Sequence, residues 1–250
     1  MSGHSKWSSI KHKKAVKDAR RGKLFTKMIK EITVAARLGG GDINANPRLR
    51  TAVTTARENS MPNDNIDRAI KKGTGELEGV HYEEANYEGY GPGGAAIMAS
   101  VLTDNRNRTV SDLRRIFEKH SGNMGSAGCV AWMFHKRGVI TVEKSKVDED
   151  RLMEIALDAG ADDVNDAGDS WEIITAPENF ETVKAATDKA KIERASAEIA
   201  MVPQNTVSLT GKEAEQTIRL LEELEEHDDV QSVASNVDIP QEELERLSAA

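Results

Sequence analysis

The sequence has one cysteine, few aromatic residues and no long apolar run. A single Cys129 excludes an intramolecular disulfide and fits a reducing compartment. No stretch approaches the roughly 18 apolar residues that a membrane span requires. The N-terminus is polar and basic, without the apolar segment of a secretory signal. These absences predict a cytoplasmic protein that has no membrane partner.

Residues arranged for catalysis are also missing. The six histidines show no HxH or HExxH spacing, so no metal site is predicted. There is no GxSxG turn, and Cys129 lies in an apolar predicted strand without a neighbouring base. The glycines of residues 87–94 have a GxGxxG spacing, but a predicted strand follows where a dinucleotide site needs a helix. We therefore expect a non-enzymatic protein with no cofactor and no evident small-molecule substrate.

Charge is distributed unevenly along the chain. Residues 1–72 carry 17 Lys and Arg against 6 Asp and Glu, a net charge of +11. The remaining residues carry 17 against 36, a net charge of −19, so the total of −8 hides a basic N-terminal segment. Because attraction to polyanions follows the local field, this segment is the predicted contact with nucleic-acid phosphates.

Helical periodicity predicts a three-helix bundle in the basic segment. Apolar residues recur every three or four positions in a first helix that begins at Ser8 and ends at Gly39-Gly40-Gly41. Pro47 opens a second predicted helix, where its missing N–H does no harm. Asn63 or Asp64 is expected to cap a third, short helix.

After this segment the pattern changes to alternating strands and helices. Strands are predicted at 82–90 and 95–103, a helix capped by Thr109 at 109–120, and a short strand at 129–134. The next segment, 137–203, has the β-α-β-β-α-β order of a ferredoxin-like unit.

The last predicted helix and strand, at 212–226 and 230–236, have no partner nearby in the sequence. They would supply the second helix and the fourth strand that the preceding α/β block lacks. We therefore predict an α+β multidomain fold, with an N-terminal three-helix bundle and two ferredoxin-like α/β domains, the third domain inserted in the second. The alternative is a simple string of three domains. The predicted domains are a basic helical bundle at 1–78, an α/β domain at 79–136 plus 204–240, and an inserted α/β domain at 137–203.

The side chains predicted to contact nucleic acid are lysines and arginines, together with the rings of Trp7 and His4. Lys and Arg gain affinity by releasing counterions from phosphates, while Trp7 and His4 can stack on unpaired bases. The alternative is a solvated helix face with Trp7 packed on the bundle, and arginines at 106 and 108 that pair with nearby acidic residues. The predicted set is His4, Lys6, Trp7, Lys11, Lys13, Lys14, Lys17, Arg20, Arg21, Lys23, Lys27, Arg106 and Arg108.

A glycine-rich loop flanked by tyrosines is the second candidate site. Glycine lets a backbone approach a partner closely, and a tight hairpin is the alternative interpretation. If the loop is a contact surface, a Gly93→Val change is expected to spare folding and impair function. The predicted contact loop comprises Tyr87, Tyr90, Gly91, Pro92, Gly93 and Gly94.

A series of motifs along nearly the whole chain occurs in the order found in a known family. They are Gly3–Trp7, Arg21–Lys27, Leu38–Gly41, Asn46–Arg50, Tyr87–Gly94 and Asp104–Thr109. With these motifs the chain resembles the YebC/PmpR family, which includes the mitochondrial translational activator of cytochrome c oxidase.

The resemblance implies a helical bundle and two α/β domains around a cleft. It also implies a cytoplasmic, DNA-binding regulator of transcription. Family members are further linked to translation, as ribosome-associated factors that relieve stalling on proline-rich sequences. Since counterion release does not discriminate between nucleic acids, the partner at this point is either duplex DNA or ribosomal RNA in the ribosome.

Overall fold

A computed structural model describes residues 19–248 of the chain. The helices are α1 (Ala19–Gly39), α2 (Pro47–Glu58), α3 (Asn63–Thr74), α4 (Arg106–Lys119), α5 (Glu149–Asp158), α6 (Phe180–Lys189), α7 (Gly211–Glu226) and α8 (Gln241–Ser248). The strands are β1 (Glu83–Tyr90), β2 (Ala96–Thr103), β3 (Asn123–Met124), β4 (Phe134–Glu143), β5 (Asp163–Asp166), β6 (Ser170–Thr175), β7 (Ser196–Pro203), β8 (Val207–Ser208), β9 (Val230–Ser235) and β10 (Val237–Asp238). Among these residues, no helix combines the length and apolarity that crossing a bilayer would take.

The three N-terminal helices pack around a small apolar core. Ile32, Leu49 and Ile66, one from each helix, are essentially inaccessible to solvent. Asn46 caps α2, because its side chain accepts a hydrogen bond from the Leu49 N–H at 3.1 Å. The predicted three-helix region is confirmed, although the predicted helix start at Ser8 lies outside the described residues.

Only some of the predicted helix boundaries agree with the structure. Gly40 adopts the left-handed conformation (φ 84) directly after α1, as predicted. The predicted cap of the third helix is wrong, because Pro62 precedes α3 and no side chain caps its first turn. That helix ends at Thr74, where Gly75 is left-handed (φ 83).

The first sheet has the strand order β3-β1-β2-β9 and is antiparallel throughout. Helices α4 and α7 cover one face, with Ile97, Phe117 and Leu220 in the shared core. Strand β9 and helix α7 therefore come from the end of the chain and join elements that begin at residue 83.

Two predictions about this sheet are wrong. Thr109 does not cap α4, because Asn105 precedes the helix and its side chain accepts from the Arg108 N–H at 3.1 Å. No strand spans 129–134, because residues 131–133 form a 3₁₀ turn and Phe134 begins β4. The edge strand is instead the two-residue β3, which pairs with β1.

The second sheet has the order β5-β6-β4-β7, again antiparallel, with α5 and α6 packed on one face. Ile140, Leu152, Ile173 and Val183 are fully buried between the sheet and these helices. The chain leaves the first sheet after β3, builds this second sheet, and then returns through α7. The α+β class with two antiparallel α/β sheets is confirmed.

A cleft of about 790 Å³ lies between the helical region and the two sheets. Thr51 on α2, Met98 on β2 and Met201 on β7 line it, so each of the three parts contributes one wall. The three parts of the chain thus surround a common open space.

Candidate nucleic-acid interface

Most of the predicted N-terminal contacts fall outside the part of the chain that the structure describes. This holds for His4, Lys6, Trp7, Lys11, Lys13, Lys14 and Lys17. Arg20 and Arg21 are in the first turn of α1. Their contact with nucleic acid stays a prediction.

The lysines of α1 at 23, 27 and 30 hold the helical region against the end of α7. Their ammonium groups donate to main-chain oxygens of Glu226 at 3.1 Å, Glu225 at 2.5 Å and Asp228 at 3.0 Å. Spacings of four and three residues put the lysines on one face of α1. The last carbonyl groups of a helix have no hydrogen-bond donor within the helix, and they carry the partial negative charge of the helix dipole. Lysine ammonium groups supply both the missing donors and a compensating positive charge. Lys23 and Lys27 therefore have a structural contact in addition to the predicted one with phosphate.

A buried carboxylate, Asp229, lies next to these carbonyls and is 3% exposed. Its two oxygens accept from the Lys30 ammonium at 2.7 Å, the Arg108 guanidinium at 2.9 Å and the Thr109 hydroxyl at 2.8 Å. Burial alone would raise the pKa of the Asp229 carboxyl, but these donors outweigh it and hold that pKa well below its usual value. The cluster thus ties α1, α4 and the start of β9 together through one ionised group.

An open cavity of about 540 Å³ lies over this cluster. Tyr82 and Asp104 also line it, and the Lys30 ammonium is 5.5 Å from the centre of the Tyr82 ring. Across residues 19–248, no three His, Cys, Asp or Glu side chains are grouped so as to hold a metal ion.

The two predicted arginines in the first turn of α4 pair with acidic residues. Arg108 bridges Asp229 and Asp104, with a distance of 2.7 Å to the latter. Arg106 is exposed and 3.9 Å from Glu83. These are the ion pairs of the alternative interpretation, and nucleic-acid contact by either arginine stays a prediction.

Exposed cations on α2 and α3 were missed by the sequence-based set. They are Arg50, Arg57, Arg68, Lys71 and Lys72, all exposed, and none forms an ion pair with an acidic group among residues 19–248. The seven-residue spacing on α2 and the three- and four-residue spacings on α3 place each group on one helix face. These spacings could have identified the cations of α2 and α3 from the sequence.

The glycine loop is closed at its base and exposed at its tip. Gly91 and Pro92 are buried, and the Gly91 N–H donates to the Ala95 oxygen at 2.7 Å. Gly93 and Gly94 are exposed with φ of 66 and 79, inside a short 3₁₀ turn that joins β1 to β2. Tyr87 is half-buried and packs on the first-sheet core, whereas Tyr90 is exposed.

The geometry at Gly93 argues against the expectation that Gly93→Val spares folding. Gly93 is left-handed, and a Cβ on it would collide with the side chain of Leu209. A Cβ on Gly94 would meet no atom within 4 Å. Gly94 is therefore the position where a side chain can be added with the smaller disturbance.

Glu88, which is inside the predicted contact loop motif, organises a second loop beside it. Its buried carboxylate accepts from the N–H groups of Gly128, Val130 and Ala131 at 2.7, 2.8 and 2.8 Å. Burial opposes ionisation, but the three donors outweigh it and lower the pKa of the Glu88 carboxyl. A charge-assisted set of three hydrogen bonds fixes the backbone of residues 128–131.

This second loop presents Trp132, which is 65% exposed. The Trp132 indole N–H donates to the Cys129 oxygen at 3.1 Å, and the Tyr90 hydroxyl donates to the same oxygen at 3.0 Å. Two aromatic side chains are therefore oriented by one carbonyl. Trp132 was not predicted, because its apolar surroundings in the sequence suggested a buried strand.

Two family models match the chain. The one described as TACO1/YebC protein N-terminal domain covers residues 5–76, and the one described as TACO1/YebC second and third domain covers residues 82–237. Together they span both the helical region and the two sheets.

Similar proteins and a similar solved structure extend over almost the full length. A protein of Desulfatibacillum aliphaticivorans is 60% identical over 244 residues, covering 98% of this chain and 99% of that protein. A protein of Syntrophobacter fumaroxidans is 61% identical over 249 residues, covering 99% and 100%. Both are named probable transcriptional regulatory protein. The crystal structure of a conserved hypothetical protein, Aq1575 from Aquifex aeolicus, has a TM-score of 0.83 at 49% identity and covers 93% of this chain and 96% of that one. This chain belongs to the TACO1/YebC family.

Proposed function

We propose that this protein is a non-enzymatic, DNA-binding regulator of transcription that acts in the cytoplasm. The names of its relatives support regulation of transcription. The helical region supports the choice of nucleic acid as partner, because the basic charge of the chain is concentrated there.

The observation that carries the proposal is the set of exposed cations on α2 and α3. Arg50 and Arg57 share one face of α2, and Arg68 with its two lysine neighbours shares a face of α3. Lys23, Lys27 and Lys30 instead contact the end of α7. The surface offered to phosphate therefore combines α2, α3 and the predicted contacts that precede α1.

The division into domains is part of the same proposal. The return of α7 and β9 to the first sheet supports an α/β domain of 79–136 plus 204–240, with a ferredoxin-like domain of 137–203 inserted. Residues 1–78 then form a separate basic domain whose exposed cations face a polyanion.

Salt-dependent binding of a 20-base-pair duplex tests the proposal. Each phosphate contact that a variant loses lowers the slope of log affinity against log salt by about 0.9. We expect the combined change of Arg50, Arg57 and Arg68 to alanine to weaken binding and to lower the slope by about two to three. The combined change of Lys11, Lys13, Lys14 and Arg20 to alanine should also weaken binding and lower the slope by about three to four.

The matched control removes exposed cations from the acidic part of the chain. Arg115 and Arg219 are exposed on α4 and α7 and pair with acidic residues one turn away. Changing both to alanine should leave the slope unchanged. Equal slopes for all variants and the wild type would refute a basic helical interface.

A second candidate function is that of a ribosome-associated translation factor that relieves stalling on proline-rich sequences. The exposed tip of the glycine loop favours it, because Tyr90, Gly93 and Gly94 suit contact with irregular RNA better than with a regular duplex. Co-sedimentation with 70S ribosomes in the presence of excess duplex DNA tests this function. Ribosome binding that survives the competitor would favour translation, and loss of all ribosome binding would favour the transcriptional role.

A further inference from the structure

We propose that Trp132 and Tyr90 form a stacking platform for unpaired bases of a nucleic acid. The platform rests on the proposed function, since it adds a base contact to a phosphate-binding protein. It also specifies the ligand, which is a single-stranded or looped segment.

The geometry of the platform is fixed by hydrogen bonds at its polar edge. The Cys129 oxygen receives both the indole N–H and the Tyr90 hydroxyl, at 3.1 and 3.0 Å. The three N–H bonds to Glu88 hold the backbone on both sides of that oxygen. The rings therefore have little freedom to lose when a base binds, which favours affinity.

Exposure of Trp132 has no explanation within the described fold. The other described tryptophan, Trp171, is 8% exposed and lies in the second-sheet core with Lys144 4.3 Å from its ring centre. Trp132 is 65% exposed, and a carboxylate buried at Glu88 maintains the turn that presents it. A large, oriented and exposed ring is what base stacking requires, because every base offers a π face.

A nucleic acid fits this surface better than a protein. A stable protein interface needs about 800 Å² on each side and an apolar centre. The exposed residues that flank Trp132 in the chain are small or polar, namely Ser126, Ala127, Gly128, His135 and Lys136. The other exposed large apolar side chains of residues 19–248 are at 24, 38, 77, 80, 157 and 199, outside the segments that carry the two rings. Two rings that share one carbonyl and are flanked by small and polar residues offer a narrow surface of the size of one or two bases.

Binding of a 12-residue oligouridylate, compared with a 12-base-pair DNA duplex, tests the platform. Stacking of about 1–3 kcal/mol per base corresponds to a loss of about 5- to 150-fold in affinity for Trp132→Ala on the single strand. The duplex affinity and both salt slopes should not change, because stacking releases no counterions. Trp132→Phe keeps a ring and should retain most of the single-strand affinity.

Leu157→Ala is the matched control, because Leu157 is also exposed but lies on α5 of the second sheet. Equal affinities of Trp132→Ala and the wild type, or equal losses on both probes, would overturn the platform. A loss in Trp132→Phe as large as that in Trp132→Ala would also overturn it, since the effect would then belong to the indole hydrogen bond. A wild-type protein that binds neither probe would instead refute the proposed function.

Discussion

Replacing Asp229 by asparagine should destabilise the contact between the helical region and the first sheet. The change removes the counter-charge of Lys30, whose side chain is 9% exposed. The ammonium would keep neutral partners, the carbonyls of Asp228 at 3.0 Å and Leu102 at 3.5 Å and the Tyr82 ring at 5.5 Å, but no compensating charge. Arg108 is 47% exposed and retains Asp104, so it contributes less to the loss. Breaking a buried ion pair at one partner typically costs about 3–5 kcal/mol, and the lower end applies here because the carbonyls remain.

Urea unfolding followed by circular dichroism measures this cost. For a denaturant slope of about 3 kcal/mol/M, a loss of about 3 kcal/mol lowers the midpoint by about 1 M. The control is Lys30→Met combined with Asp229→Asn, which removes both charges. Because no uncompensated charge stays buried, the double variant should be more stable than Asp229→Asn alone. A single variant within about 0.5 kcal/mol of the wild type would refute the argument, and so would a double variant with the summed losses.

Acid should remove the difference between wild type and Asp229→Asn. The pKa of Asp229 is lowered in the folded protein, so its stabilisation is present above the unfolded pKa of about 3.9. As the pH falls below that value, the unfolded chain binds the proton first and the stabilisation is progressively lost. The two urea midpoints should therefore converge as the pH is lowered from about 4. A constant difference down to pH 2 would show that the Asp229 charge is not its source.

Two further predictions concern the loops that carry the proposed contacts. Gly93→Val should lower the melting temperature, because a β-branched residue at φ 66 is strained and its Cβ meets Leu209, whereas Gly94→Asn should change it little. Equal melting temperatures for the two variants would contradict this account. Glu88→Gln should cost about 1.5–3 kcal/mol and speed amide hydrogen exchange at residues 128–131, because an amide cannot accept all three bonds with the strength of a carboxylate. Unchanged exchange there would contradict the role of Glu88.

The ends of helices could be predicted from the sequence where a single residue type determines the local backbone conformation. Pro47 marks the first turn of α2, and Gly40 marks the end of α1, because each residue type has a fixed backbone preference. The predicted helix at 212–226 and strand at 230–236, which are α7 and β9 in the structure, were assigned to the first α/β block because that block lacked a second helix and a fourth strand. Pairing of β9 with β2 agrees with that reasoning.

Local pattern was insufficient where a distant contact decided the structure. The apolar run before Phe134 suggested one strand, but bonds from residues 128–131 to Glu88 bend it into a turn. Lys30 looked like one more cation of a basic helix, yet its partner is Asp229, almost 200 positions away. Neither contact leaves a periodicity in the sequence that could be read in advance.

Buried and exposed charges of this chain are expected to respond differently to salt. The contact of α1 with the end of α7 includes the buried pair Lys30–Asp229, which mobile ions screen weakly. In the proposed function, the exposed cations of α2 and α3 attract a polyanion through solvent, where screening by salt is strong. If the protein binds nucleic acid as proposed, raising the ionic strength should therefore release the nucleic acid while α1 stays in contact with the end of α7, because the Lys30–Asp229 pair is buried and the cations of α2 and α3 are exposed.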